Sequence, residues 1–266
     1  LQAARIRPFD LTHDLMLRAC LLRIGPQSHI LSLTVHHIAA DGWSVGILVR
    51  ELMALYPAFA SGQQPVLTPP GGDYVDWCWQ HEQVAAQKRY PAQLEYWLQQ
   101  LRDLPECHAL PLDRSRADAA AFCGQSWYSQ VSRERLEQLN FAARQQGVTL
   151  FMQLQTALAV LVARLAGGAD DGGCQDVAIG AAYANRAQSG CEDIVGFFVN
   201  SLVMRHGLAA DCTLAQLLKN CRDTVLDAYE HADVPFESIV GKINPRRRDN
   251  LNPLFQIMLN LQDKSS

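Results

Sequence analysis

Apolar and polar residues alternate in two segments near the start of the chain, which is the pattern of half-buried β-strands. These segments are residues 16–23 and 29–37, and the turn-forming sequence GPQS (residues 25–28) lies between them. The sequence therefore predicts a β-hairpin. Successive strand side chains point to opposite faces, so we expect His36 and His37 to lie on different faces and to have different tasks.

Farther along the chain, apolar residues recur at spacings of three and four, which predicts helices. The helix over residues 44–56 is expected to end at Pro57. A long amphipathic segment occupies residues 74–101, and an irregular connector is expected over residues 104–124. Ser132 and Thr149 are the expected N-caps of two further helices. The remaining predicted elements are a helix around residues 214–225 and strands at residues 177–182, 197–205 and 254–261. Mixed elements of this kind indicate an α/β or α+β protein.

Composition narrows the function classes. The chain has 266 residues, 48% of them hydrophobic, and a formal net charge of −4, which gives no electrostatic basis for binding nucleic acid or an anionic membrane. We expect no transmembrane segment and no signal peptide, and hence a cytoplasmic protein. None of the eight cysteines forms a CxxC pair, so reduced thiols are expected.

The most informative motif is HHIAADGWS (residues 36–44), which lies between a predicted strand and a predicted helix. Imidazole is the side chain best suited to moving a proton near neutral pH, so His37 is a candidate catalytic residue. Asp41 is expected to hold geometry, either by capping the helix or by pairing with a distant arginine. Gly42 is expected to permit a tight turn that a Cβ would block.

Two other interpretations of the same motif are weaker. GWSVG (residues 42–46) matches the GxSxG of serine hydrolases, but its serine does not directly follow the strand. A metal site could be formed by His36, His37 and Asp41, judged by residue type alone. Adjacent strand residues on opposite faces make poor co-ligands, however, so no metal is expected.

The motif resembles the signature of the condensation domains of nonribosomal peptide synthetases, which are relatives of chloramphenicol acetyltransferase. Four further blocks occur in the family's order. They are YVDW (residues 74–77), IGAAYANR with VGFFVN (residues 179–186 and 195–200), HADVPFE (residues 231–237), and RD with NPLF (residues 248–249 and 252–255). Two details depart from the family pattern. The YVDW block is one residue shorter than its usual form, and Ala232 replaces the usual glutamine of the HADVPFE block.

This resemblance implies a fold of two acyltransferase-like lobes that form a V-shaped pseudo-dimer with a tunnel between them. We expect an N-terminal lobe over residues 1–112 and a C-terminal lobe over residues 113–266. The family's first motifs and the end of its C-terminal lobe are missing, so both lobes are expected to be partial. A segment truncated in this way would have open strand edges, and alone it could be inactive.

The implied activity is acyl transfer that forms a peptide bond, from a donor acyl or peptidyl thioester to the amine of an acceptor aminoacyl thioester. Both substrates would arrive on the 4′-phosphopantetheine arms of upstream and downstream peptidyl carrier proteins, beside an adenylation domain. No intrinsic cofactor is expected. Alternatives within the fold are a free-standing acyltransferase with a soluble acceptor and a non-catalytic recruitment domain. The DGWS ending argues against the epimerisation type, and the paired histidines argue against the heterocyclisation type.

The resemblance also implies roles for individual residues. His37 would act as a base or position the amine, His36 would be structural, and Asp41 would form a salt bridge with Arg186 that ties the two lobes together. Asn200 is either a tunnel-lining hydrogen bonder or a satisfied core amide. The remaining tunnel candidates are Gly42, Trp43 and Ser44, with Trp43 more a packing residue than a substrate contact.

Overall fold

The computed structural model describes residues 6–85, 89–113, 124–167, 176–187, 190–209, 211–246 and 251–262. Arg248 and Asp249 of the last sequence block, and residues 114–123 of the predicted connector, lie outside these ranges. The six described cysteines have free thiols. No single described helix is long and apolar enough to cross a membrane, although one pair (Arg133–Gln145 with Leu150–Ala166, bent by 94°) meets the length and composition test jointly.

Helices and strands are mixed along the chain, as predicted. The strands are β1 (Leu17–Gly25), β2 (Ser28–Val35), β3 (Asp176–Tyr183) and β4 (Asn200–Gly207). The helices are α1 (Gly42–Ala60), α2 (Tyr74–Ala85), α3 (Arg89–Gln100), α4 (Arg133–Gln145), α5 (Leu150–Ala166), α6 (Leu214–Glu230) and α7 (Phe236–Ile243).

The described residues form two compact units. The first contains those of Leu1–Gln83 and Ala184–Val199, and the second contains those of Val84–Tyr183 and Asn200–Gln262. The bounds of these units differ from those of the expected lobes (residues 1–112 and 113–266), because Ala184–Val199 groups with the N-terminal part of the chain and residues 84–112 group with the C-terminal part. The two-lobe division stays a prediction.

In the first unit, β1 and β2 form the predicted antiparallel hairpin, which brings Gly25 opposite Ser28 at the turn. Helix α1 follows β2 after six residues, and it continues through Pro57 to Ala60. The expectation that Pro57 ends this helix was wrong.

The second unit is built on β3 and β4, which pair antiparallel with Asp176 opposite Gly207. Leu202, Val203 and Met204 are consecutive in β4 and all buried, so both faces of this strand are covered. Helices α5 and α6 pack on this pair of strands. Ser132 and Thr149 cap α4 and α5 as predicted, each by accepting a backbone N–H of the first turn.

Two predicted strands are corrected here, and one helix is added. The strand expected from residue 197 begins only at Asn200, and the strand expected over residues 254–261 is reduced to one parallel bridge between Gly180 and Met258. Helix α7 was not predicted. The bridge brings the Phe255 ring so close to β3 that a Cβ on Gly180 would lie 2.3 Å from it, so this position requires glycine.

The buried His206 in β4 gives the second unit a pH-dependent stability. Burial lowers the pKa of His206 to about 4 from 6.5. Between these values the unfolded chain binds a proton that the folded chain excludes, so the free energy of unfolding should fall as the pH drops from about 6.5 to 4. The loss should approach 3 kcal/mol, at about 1.4 kcal/mol for each pKa unit.

Guanidinium unfolding between about pH 7 and pH 4 measures this loss. His206→Leu should remove most of the acid-dependent decrease. His29→Leu, a change on the exposed hairpin, should retain it. An identical pH dependence in His206→Leu and the unchanged protein would contradict the assignment.

Candidate active site

The two histidines that directly follow β2 contact different parts of the first unit. The backbone N–H of His36 donates to the carbonyl of Met16 at 2.9 Å, and the His36 ring makes an edge contact with Phe9 at 5.5 Å between centroids. The exposed ring of His37 instead makes a perpendicular contact with Phe197, at 5.1 Å between centroids. The strand expected over residues 29–37 ends at Val35, so strand alternation does not place these two rings. They nevertheless contact different residues, and their different tasks stay a prediction.

Asp41 both caps helix α1 and pairs with Arg186, so the two alternatives left open by the sequence occur together. Its carboxylate is 4% exposed. Oδ1 accepts the backbone N–H of Ser44 at 2.9 Å, and Oδ2 accepts the backbone N–H of Phe198 at 3.1 Å. The Nη2 of Arg186 donates to Oδ1 at 3.1 Å and to Oδ2 at 3.3 Å. Both residues belong to the first unit, so the pair does not join the two units.

The Arg186 guanidinium is buried, with a side chain that is 2% exposed. Its Nη1 donates to the carbonyls of Cys191 and Ile194 at 2.7 and 2.8 Å. Its central carbon lies 3.9 Å from the centre of the Phe198 ring, which is a cation–π distance. The preceding residue, Asn185, has the left-handed φ of 54°, a conformation that asparagine tolerates better than most residues. This turn directs Arg186 into the unit.

Ser44 is completely buried, and its hydroxyl connects the ion pair to the segment around Gly196. The Oγ atom lies 2.8 Å from Oδ1 of Asp41 and 2.8 Å from the carbonyl oxygen of Gly196, the two acceptors for its proton. It accepts the Nη2 of Arg186 at 2.9 Å and the backbone N–H of Gly196 at 3.0 Å. A hydroxyl committed in this way is no exposed nucleophile, so the serine-hydrolase interpretation is wrong.

Tyr74 fixes the same segment from helix α2. Its hydroxyl donates to the carbonyl of Phe197 at 2.7 Å. Burial is the largest of the effects that raise the pKa of Tyr74 to about 12, so the donor stays protonated at neutral pH. A Cβ on Gly196 would lie 2.3 Å from the tyrosine ring, so only glycine fits there. No role was predicted for Gly196 and Phe198, although both lie in the family-like string GFFVN (residues 196–200).

The structure corrects the expectation for Gly42 and agrees with a packing role for Trp43. A Cβ on Gly42 would meet nothing within 4 Å, so the turn does not need glycine for steric reasons and open space faces this position. Trp43 is 44% exposed, and its indole N–H donates to the carbonyl of Glu192 at 2.9 Å. Trp43 therefore ties α1 to the segment that carries Arg186.

Asn200 lies in the second unit and is fully used within the protein. Its amide nitrogen donates to the carbonyls of Ala232 and Val234 at 2.9 and 2.8 Å, while its oxygen accepts the backbone N–H groups of Ser201 and Phe236. This is the satisfied core amide of the two alternatives. Contact with substrate stays a prediction for this residue.

Among the described residues, no group of three or more histidine, cysteine, aspartate or glutamate side chains could hold a metal ion. The site thus combines an exposed imidazole, which contacts Phe197, with a buried ion pair that begins four residues farther along the chain. Such an arrangement can hold and protonate or deprotonate a reactant at His37, while Asp41 and Arg186 keep the surrounding backbone in place.

The sequence model of the Condensation domain family matches residues 1–265. The chain belongs to the condensation-domain family. It is 41% identical, over its whole length, to a probable non-canonical nonribosomal peptide synthetase CymA of Salinispora arenicola, of which the match spans 3%. It is 39% identical over 98% of its length to an isonitrile lipopeptide synthase of Mycobacterium tuberculosis, spanning 10% of that protein. The chain thus covers only a small part of these curated relatives.

Solved structures show the same fold. The X-domain from teicoplanin biosynthesis superimposes with a TM-score of 0.81 at 26% identity, over 96% of this chain and 57% of that one. A four-domain nonribosomal peptide synthetase bound to AMP and glycine matches with a TM-score of 0.84 at 23% identity, over 98% of this chain and 19% of that one. The condensation fold is therefore shared across members of low sequence identity.

Asp41→Asn should strongly destabilise this condensation domain. The substitution leaves the buried Arg186 guanidinium without its counter-charge. At buried pairs, such a loss lowers the free energy of unfolding by about 3–5 kcal/mol. Chemical unfolding of the variant measures the loss.

The matched control is Asp193→Asn. It breaks the Arg50–Asp193 ion pair, which joins the same helix and segment but is more than half exposed on both sides. Its cost should stay below about 1 kcal/mol. If Asp41→Asn and Asp193→Asn lowered the free energy of unfolding equally, burial of the ion pair would not explain the loss.

Proposed function

We propose that this condensation domain forms peptide bonds between carrier-bound substrates in nonribosomal peptide synthesis. The observation that carries the proposal is the exposed His37 imidazole. Its ring contacts Phe197, and the chain, which also holds the buried Asp41–Arg186 pair, matches the family over residues 1–265. In this reaction the acceptor amine attacks the donor thioester carbonyl. A C–N bond forms, the C–S bond breaks, and the donor carrier's pantetheine leaves as a thiol after taking up the proton that the amine loses.

The substrates and partners proposed for the domain follow from this reaction. Upstream and downstream peptidyl carrier proteins deliver both reactants on 4′-phosphopantetheine arms, and an adenylation domain loads the acceptor. We place the reaction in the tunnel of a V-shaped, two-lobed domain of which this chain supplies part. Tethering raises the local concentration of each reactant to the millimolar range, so positioning accounts for much of the rate.

Two roles fit His37. An α-amine has a pKa of about 7.7–8.0, so part of it is neutral at cellular pH and needs no strong base to attack. His37 then either takes the proton as the tetrahedral intermediate forms or orients the amine and stabilises charge. Asp41, Arg186 and Ser44 serve by fixing the backbone that carries His37 and Phe197.

The test uses the domain with its flanking segments, an upstream carrier loaded with an aminoacyl or peptidyl group, and a downstream carrier loaded with an amino acid. Intact-protein mass spectrometry follows amide formation on the downstream carrier. His37→Ala should lower the rate by about 10²–10⁴-fold, the range for a lost proton-transfer group. His36→Ala, which changes the neighbouring ring, is the matched control and should retain most activity.

Different outcomes separate the proposals. A large loss in His37→Ala alone supports condensation with His37 in the reaction. Equal rates in both variants and the unchanged domain would keep condensation but remove His37 from it. No product from the folded, unchanged domain would reject condensation.

A recruitment role is the second candidate, because the teicoplanin X-domain, which is 26% identical, also occurs in a solved complex with OxyB. It predicts no product with any loaded carrier pair and stable binding of a partner enzyme. The soluble-acceptor acyltransferase predicts product with a free amine and none with a carrier-bound one.

Gly42 provides a second prediction for the proposed reaction. Because a Cβ there meets nothing within the protein, Gly42→Ala should leave the unfolding free energy unchanged or slightly raised. If reactants use the open space facing Gly42, a larger side chain should narrow it, and Gly42→Val should reduce amide formation more than Gly42→Ala. Chemical unfolding measures the effect on stability, and the carrier assay measures the effect on amide formation. Full activity of a folded Gly42→Val variant would contradict the placement of reactants next to Gly42.

A further inference from the structure

An aromatic ring from a distant part of the sequence lies against the proposed reactive histidine. The ring of Phe197 meets the ring of His37 at 90°, with 5.1 Å between their centroids. Phe197 is 37% exposed, so its ring is only partly covered by the rest of the protein. Perpendicular contacts between rings at such distances are attractive and have a defined geometry.

The backbone around Phe197 is held by the buried network. The carbonyl of Gly196 accepts the backbone N–H of Asp41 at 3.0 Å and lies 2.8 Å from the Ser44 hydroxyl. The carbonyl of Phe197 accepts the Tyr74 hydroxyl, and the backbone N–H of Phe198 donates to Asp41. These bonds fix the peptide groups on both sides of Phe197, and thereby the point from which its ring extends.

We propose that Phe197 is a positioning residue that sets the orientation of the His37 imidazole, an inference that rests on the proposed function. The ring torsion of histidine is broad and roughly two-fold, so an exposed imidazole samples several orientations unless a neighbour restricts it. A ring fixed to the Asp41–Arg186 network supplies that restriction. The buried ion pair therefore acts on the reactive group through Phe197 as well as through the backbone.

Activity measurements on the domain with its flanking segments test this role. Phe197→Leu keeps an apolar side chain but removes the aromatic contact, and it should lower kcat by about threefold to tenfold with little change in the KM for the acceptor. Phe197→Tyr retains the ring and should stay close to the unchanged domain. Phe59→Leu, the same substitution at a 67% exposed position of helix α1, is the matched control and should have no effect.

A double-mutant cycle shows whether Phe197 acts through His37. In a His37→Ala background, Phe197→Leu should cause no further loss of activity, because the group it positions is gone. Additive losses, or equal losses in Phe197→Leu and Phe197→Tyr, would overturn the proposal. Unfolding measurements on each variant exclude a general loss of folded protein as the cause.

A spectroscopic measurement tests the contact independently of activity. In NMR spectra with labelled histidine and phenylalanine, the unchanged domain should show cross-peaks between the His37 and Phe197 rings. Phe197→Leu should shift the His37 ring signals and leave those of the exposed His29 in place. Missing cross-peaks or an unshifted His37 would overturn the positioning role, whereas an inactive domain with both signals present would reject only the proposed function.

Discussion

The buried ion pair between Asp41 and Arg186 is the interaction on which the site depends. A carboxylate and a guanidinium removed from water are costly unless each is paired and hydrogen-bonded. Here the carboxylate accepts two backbone N–H groups besides the arginine, and the arginine donates to two backbone carbonyls. Because these partners belong to residues 41–44 and 191–198, satisfying the two charges requires that both segments adopt one arrangement.

The same carboxylate also starts a helix. As the N-cap of α1, Asp41 places negative charge at the positive end of the helix dipole, where such a charge is stabilising. The local cap and the long-range pair therefore fix the beginning of α1 and its neighbours together. His37 lies outside this network and is exposed. Buried charges thus maintain the local geometry, and the His37 ring stays exposed.

Asn200 has a comparable task in the second unit, but as a neutral group. Its amide satisfies backbone groups on both sides of Asp233 and at the start of helix α7. Buried polar groups need partners, and a side-chain amide can serve donors and acceptors at once. Several of the polar residues in the sequence motifs, such as Asp41 and Asn200, thus form hydrogen bonds that hold non-helical, non-strand backbone in place.

The sequence by itself determined the mixed fold class, the hairpin, most helices and two caps, because these follow from local periodicity and capping chemistry. The family resemblance, rather than any local pattern, also paired Asp41 with Arg186, 145 residues apart. Only the tertiary structure decided that Ser44 is a buried connector, that Gly42 faces open space, and that Phe197 meets His37. Burial, close approach and ring contacts depend on which distant segments pack together, and no local pattern records that.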